Sequence, residues 1–258
     1  MSGRQPWTRQ QLLVACYLYC QLPFGKLHSR NPDIIKFSQL IGRTPSALAM
    51  KLTNLASLDP IILSSGRKGL QGASAADRAI WQEMVTNWEG FVVESHEAVR
   101  SLGMREAVED SVELESVDYS GQERVVQSKT RVGQNFFRKA VLSAYGYKCC
   151  ITGLAQPRLL IASHIVPWRD DKNNRLNPHN GLALSMLHDK AFDIGMITVS
   201  EEMTVQVTKR DLTAKDEFFE QSLMAFHGKP IYLPEKFEPH AEFLAYHREH
   251  VFERWSKR

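Results

Sequence analysis

A chain of 258 residues with 43% hydrophobic and 24% charged side chains can bury a sizeable core and is too apolar to be disordered throughout. No apolar run approaches the ~20 residues of a membrane helix. The opening MSGRQPWTRQ begins no signal peptide, because the apolar run Leu12 to Tyr19 meets no small-residue cleavage site, so a cytoplasmic location is expected. The formal net charge of +3 is unevenly spread. Residues 1–70 hold nine basic and two acidic side chains, 71–128 four and twelve, and 129–258 nineteen and fifteen. Basic ends of this density suit phosphate backbones, whereas the acidic middle repels them. Cys16, Cys20, Cys149 and Cys150 form no CxxC pair and read as reduced thiols.

In chain order, Thr8 and Gln11 have capping-box spacing ahead of Leu12, Leu13, Cys16, Tyr17 and Cys20, predicting a first helix with Trp7 beneath its first turn. Pro23 ends it. Asn31-Pro32 opens a second helix that Gly42 closes, and Thr44-Pro45 opens a third with Leu48, Leu52 and Leu55 on its inner face. Three short helices with a glycine turn before the last form a helix-turn-helix-like pattern. On that reading Lys51 and Asn54 point outward to phosphates or base edges, with Arg43 at the helix entrance as a further DNA contact. Pro60 to Gly72 reads as a basic loop. One long amphipathic helix is expected from Ser74 to Val92, either closing the N-terminal domain or serving as a homodimer face. The division expected is a helical domain over 1–100, an acidic linker over 101–128 and a second domain over 129–258.

The second domain opens with a helix from Arg131 to Tyr147, in which Phe136, Phe137, Val141 and Leu142 are buried and Arg131, Gln134, Arg138 and Lys139 lie on another side. The chemistry concentrates in LLIASHIVPWRDDKNNRLNPHNGLALSMLHDKAFD, Leu159 to Asp193. An apolar strand stops at His164, a long loop ends in the Asn180-Gly181 turn, and a second apolar run leads to Ser185, the N-cap of a helix bearing His188. Beyond it, Met196 to Ser200 and Thr204 to Thr208 predict a hairpin, Ile231 to Pro234 a short strand, and residues from about Pro239 a final helix.

This strand, loop, strand and helix, with His164, Asn180 and His188 at the junctions, resembles the HNH nuclease family, whose ββα-metal site is named for those residue types in that order. RVGQNFFRKAVLSAYGYKCCITGL, Arg131 to Leu154, is similar to the lead-in of a restriction-type subgroup, and AFDIGMITV, Ala191 to Val199, to its exit. The resemblance implies an α+β protein: an N-terminal helical domain followed by a ββα-metal HNH nuclease domain that cuts double-stranded DNA, in restriction or phage defence. It implies His164 as general base toward water, Asn180 as its brace and His188 as a ligand to a divalent ion. Mg²⁺ or Mn²⁺ is expected first, with Ni²⁺ or Zn²⁺ compatible with an imidazole ligand. It also implies that Arg131, Gln134, Arg138 and Lys139 grip substrate phosphates, and that cleavage leaves 5′ phosphate and 3′ hydroxyl ends. Many members carry a further ligand just before the first histidine or four residues beyond the last; here Ser163 and Phe192 stand there. Asp193 is the nearest helical carboxylate for a second ligand, although about 140° off in phase from His188, with Asp189, Asp170 and Asp171 as rivals. Two other readings compete: a DNA-binding regulator with a catalytically silent HNH domain, and an effector nuclease gated by a partner or by oligomerisation through residues 74–100.

Overall fold

The computed structural model describes residues 5–66, 72–103, 121–208 and 216–253, with backbone alone over 121–130. It divides into two compact units, Met1–Ala140 and Val141–Arg258. No helix among the described residues is long and apolar enough to cross a membrane.

The first unit is built around α1 (Arg9–Gln21). Its capping box is present as expected, with Thr8 Oγ1 accepting from Gln11 N and the Gln11 side chain accepting from Thr8 N. Residues 12–20 are all buried, so this helix is enclosed on every side. The helices α3 (Pro45–Ala56), α5 (Ala75–Thr86) and α6 (Trp88–Ser101) pack around it, and α2 (Pro32–Leu40) packs on α3. Asn31 and Thr44 cap α2 and α3, and Gly42 makes the turn between them at φ +64°. Part of the predicted basic loop is a short helix, α4 (Pro60–Ser64), capped by the buried Asp59, whose other oxygen accepts from Tyr19 Oη at 3.1 Å.

The helix-turn-helix expectation requires correction at its reading face. Lys51 and Asn54 are buried, and Lys51 Nζ lies 2.6 Å from Asp77 Oδ1 on α5. The α3 face expected to meet DNA is therefore an internal face covered by α5. A threefold leucine stripe identifies one buried side of a helix but does not reveal whether a second neighbour covers another. Arg43 is likewise engaged within the unit: its guanidinium donates to the carbonyls of Gln5 and Pro6 and to Gln11 Oε1. Trp7 carries Arg43 and Lys51 over its ring, at 4.9 and 4.8 Å from the centroid.

The single helix expected after Ser74 is two. Asn87 leaves helical geometry, closes α5 and caps α6 by accepting from Gly90 N at 2.9 Å. Arg9 ties the pair together, donating to Glu83 and Glu94. Trp88, Phe91, Val92 and Val99 of α6 are buried within the chain, so this apolar side closes the domain. A long α7 (Gly121–Ala144) follows. The division between the units falls inside it, because Phe136 packs in the first unit against Tyr17 and Phe91, at 5.7 and 6.5 Å between ring centroids. Residues 104–120 of the expected acidic linker lie outside the described residues, and the remainder from Gly121 is helical.

In the second unit α7 ends in Gly146 and Tyr147, both left-handed, with Tyr147 N donating to Leu142 O at 2.8 Å. Strands β1 (Leu160–His164) and β2 (Gly181–Ser185) pair antiparallel, from Leu160 opposite Ser185 to His164 opposite Gly181. Helix α8 (Met186–Asp193) packs on both strands. The hairpin β3 (Ile197–Val199) and β4 (Val205–Val207) forms as expected. The strand expected at Ile231 to Pro234 does not: that segment is irregular, with Ile231 N donating to Met203 O and Tyr232 N to Cys150 O. A small α9 (Glu217–Ser222) precedes it, and α10 (Ala241–His247) with a π turn (Arg248–Phe252) ends the unit. All four cysteines are buried and none is in a disulfide.

Gly195 makes the turn from α8 into β3 at φ +78°, and a Cβ there would lie 2.4 Å from Val251 O. Gly195→Ala combines a left-handed alanine with a clash against backbone that cannot swing aside. We expect a loss of about 2–4 kcal/mol, measured as a lower urea midpoint at unchanged slope. An unshifted midpoint would mean that the C-terminal turn does not press on Gly195 in solution.

Candidate active site

His164 is the last residue of β1, where the chain leaves the sheet for the long loop. Its Nε2 lies 2.8 Å from the Arg175 carbonyl oxygen. A carbonyl only accepts, so Nε2 carries the hydrogen and the neutral ring keeps its lone pair on Nδ1. Burial is the main cause that holds this imidazole below the ordinary histidine pKa, with the Arg175 carbonyl opposing and the Arg175 charge reinforcing the shift. The ring meets Trp168 edge-on, with centroids 5.4 Å apart.

Asn180 is 1% exposed and fastens the two ends of the loop. Its Oδ1 accepts from Val166 N at 2.8 Å, and its Nδ2 donates to the carbonyls of Val166 and Asn174 at 3.2 Å each. Its backbone carbonyl accepts from Ile165 N. These bonds reach Ile165 and Val166, within two residues of His164, and Asn174 inside the loop, so the amide ties the exit from β1 to the loop that follows it. Within the loop, Asp171 caps the turn through Asn173 and Asn174.

His188 enters from the opposite end of the hairpin. Ser185 caps α8, and its Oγ also lies 2.8 Å from His188 Nδ1. The imidazole is 3% exposed, stands edge-on to Phe226, and its Nε2 has no hydrogen bond of ordinary geometry. Burial lowers its pKa, and the nearby Ser222 backbone partly offsets this. A buried imidazole nitrogen without a partner is costly, and coordination to an ion would satisfy it, provided that Nδ1 carries the proton and donates it to Ser185. Ser163 Oγ, 2% exposed, is a second buried polar atom without a hydrogen bond of ordinary geometry. Asp189 is half-buried on α8, and burial pushes its carboxyl upward, opposed by the nearby Ser163 hydroxyl. Asp193 is exposed at the C-terminal end of α8. Among the described residues no three His, Cys, Asp or Glu side chains converge as a metal cage. Of the donors here, His188 Nε2 is the one that could hold an ion, and water and phosphate would have to complete its shell.

Of the helical candidates for DNA contact, Arg131 and Gln134 are exposed one turn apart on α7, whereas Arg138 and Lys139 are half-buried. Sequence reasoning missed the residues that hold the histidines: Arg175 and Trp168 at His164, and the hydroxyl of Ser185 at His188, which was legible only as a cap. His247, one of several histidines in the C-terminal segment, has a packing role. This buried ring stacks on Phe192 at 3.6 Å between centroids, donates through Nε2 to Phe192 O at 3.1 Å, and takes the Thr198 hydroxyl on Nδ1 at 2.8 Å. It thereby fastens the end of α8 to β3.

The site is a two-stranded hairpin packed against one helix, with a neutral histidine at the strand end and a second histidine in the first turn of the helix. Residues 149–200 match the family model of the HNH endonucleases, and this match supports nuclease chemistry for the segment in general terms. Nucleases of this family are generally dependent on a divalent metal, and their substrate is DNA. No curated protein matches the chain.

Proposed function

We propose that this chain is a divalent-metal-dependent endonuclease that hydrolyses phosphodiester bonds of double-stranded DNA, with His164 as general base, in restriction or phage defence. The observation that carries the reading is the hydrogen bond from His164 Nε2 to Arg175 O, which leaves the lone pair of a neutral imidazole on Nδ1. In the reaction, Nδ1 takes a proton from water as the water oxygen bonds to phosphorus. The bond from phosphorus to the 3′ oxygen breaks, and that oxygen leaves with a proton from solvent, giving 5′ phosphate and 3′ hydroxyl ends. Asn180 keeps the base in place by holding Val166 and Asn174. His188 Nε2 would hold the ion, with Asp189 or Asp193 as the nearest carboxylates on the same helix. An ion held there would supply positive charge against the negative charge that develops in the reaction. Arg131 and Gln134, exposed on α7, are the side chains best presented for phosphate contact, with Arg138 beside them. The defence role is supported by the segments Arg131 to Leu154 and Ala191 to Val199, which resemble the restriction-type subgroup.

The test is incubation of the purified chain with supercoiled plasmid and with unmodified, methylated and hydroxymethylated genomic DNA, in Mg²⁺, in Mn²⁺ and in chelator, followed by sequencing of the ends. Metal-dependent nicks with 5′ phosphates are expected on at least one substrate. A wild-type chain as inert as its His164→Ala variant on all of them would leave a DNA-binding regulator as the better reading.

A further inference from the structure

The loop between β1 and β2 carries Arg169, Lys172 and Arg175, and they differ in how they are held. Arg169 is exposed and pairs loosely with Asp170 at 3.4 Å, and Lys172 is exposed. Arg175 is half-buried and fixed at three points. Its Nε donates to Trp168 O at 2.7 Å, its guanidinium lies 4.9 Å from the centroid of the Trp168 ring, and its own carbonyl accepts from His164 Nε2 at 2.8 Å. Trp168 in turn meets the His164 ring. Trp168 thus holds both the guanidinium and the imidazole, and the Arg175 backbone carbonyl holds the imidazole as well.

Nε and the guanidinium face do the work of closing the loop. The terminal nitrogens Nη1 and Nη2 are not needed for it, and among the described residues no carboxylate pairs with them. The nearest acids in the chain are already used, Asp170 by Arg169 and Asp171 by the turn at Asn173 and Asn174. A positive charge fixed beside a base opposes the proton that the base must accept. The arrangement becomes favourable when an anion stands between them, and a planar pair of N–H donors matches two oxygens of a phosphodiester. We propose that Arg175 is a catalytic residue of this site, gripping the non-bridging oxygens of the scissile phosphate with Nη1 and Nη2 while His164 deprotonates water. The proposal rests on the nuclease reading above, and its test separates the two.

The full chain, labelled with ¹⁵N-arginine, is titrated in chelator with the dinucleotide d(TpT) and with its uncharged methylphosphonate analogue. The guanidinium signals lost in Arg175→Lys should shift saturably with the first and stay still with the second; signals that ignore both, or follow both alike, overturn the proposal. In cleavage assays Arg175→Ala should lower kcat by about 10²-fold with KM changed less than about threefold. Added guanidinium ion should restore part of the loss, which it could not do for a misfolded loop. Arg175→Lys, which keeps the charge over Trp168, should fall between. Wild-type kcat in Arg175→Ala, or a loss confined to KM, overturns the assignment even if the chain is a nuclease. Phosphate-specific shifts in a chain that never nicks DNA would sink the nuclease reading and leave the anion site standing.

Discussion

His164→Ala is expected to cleave DNA about 10²–10⁴-fold more slowly than the wild-type chain, the range that a positioned general base contributes. The variant loses one hydrogen bond to Arg175 O, worth about 1 kcal/mol net, so it should remain folded and bind DNA with little change. The pH profile separates lost chemistry from lost structure. Burial is the first cause holding His164 below the ordinary histidine range, and the base must be unprotonated to act. The wild-type rate should therefore fall as pH drops through a value below about 6.5 and be level above it. In His164→Ala the residual rate should lack that acid limb. An acid limb that survives the substitution would assign it to another group, and a kcat within threefold of wild type would remove His164 from the chemistry.

What could be read from the sequence, and what could not, divides by the range of the interactions. Thr8, Asn31, Thr44, Ser74 and Ser185 all act as N-caps, because a cap and the amides it serves lie within three residues. The ββα order was equally legible, since an apolar run, an Asn-Gly turn and a helix start are local signals. Lys51 was misread because its partner Asp77 lies 26 positions away on a helix that no local pattern places against α3. Asn87 was missed for a different reason: the apolar stripe continues through it, and only the cap to Gly90 shows the break. At the site, His164, Asn180 and His188 stood out by residue type and order. Trp168 and Arg175 did not, because a tryptophan and an arginine in a polar loop carry no signal until the loop closes and brings them to the same imidazole. His247 lies 55 residues from the carbonyl it holds, in a region where several histidines look alike.

The second unit is expected to lose several kcal/mol of stability between about pH 6.5 and pH 4, before most of its carboxylates are protonated. Two histidines have their pKa lowered to about 4. At His179 burial is the main cause, opposed by the hydrogen bond to Glu238 O at 2.6 Å and reinforced by His240, whose ring lies 4.3 Å away. At His247 burial again leads, opposed by Phe192 O and reinforced by Arg248. Above about 6.5 both rings are neutral whether the chain is folded or not, and their contribution is fully present. As pH falls, the unfolded chain takes up protons that the folded rings refuse, so stability drops until the folded pKa is reached and then levels off, by roughly 3 kcal/mol for each ring. The sign is that of a group with a depressed folded pKa: stability rises with pH across this window. Urea titrations at pH 7, 5.5 and 4.5 measure it directly. His247→Phe keeps an aromatic ring against Phe192 but leaves the Thr198 hydroxyl and the Phe192 carbonyl without their partner, so it should be less stable at pH 7 by about 1–3 kcal/mol. Lacking the titrating ring, it should also lose less than wild type on acidification, and the two stability curves should draw together toward pH 4. Parallel curves would show that His247 takes up its proton equally in the folded and unfolded chains. The hold that this ring keeps on the end of α8 would then not depend on its staying neutral.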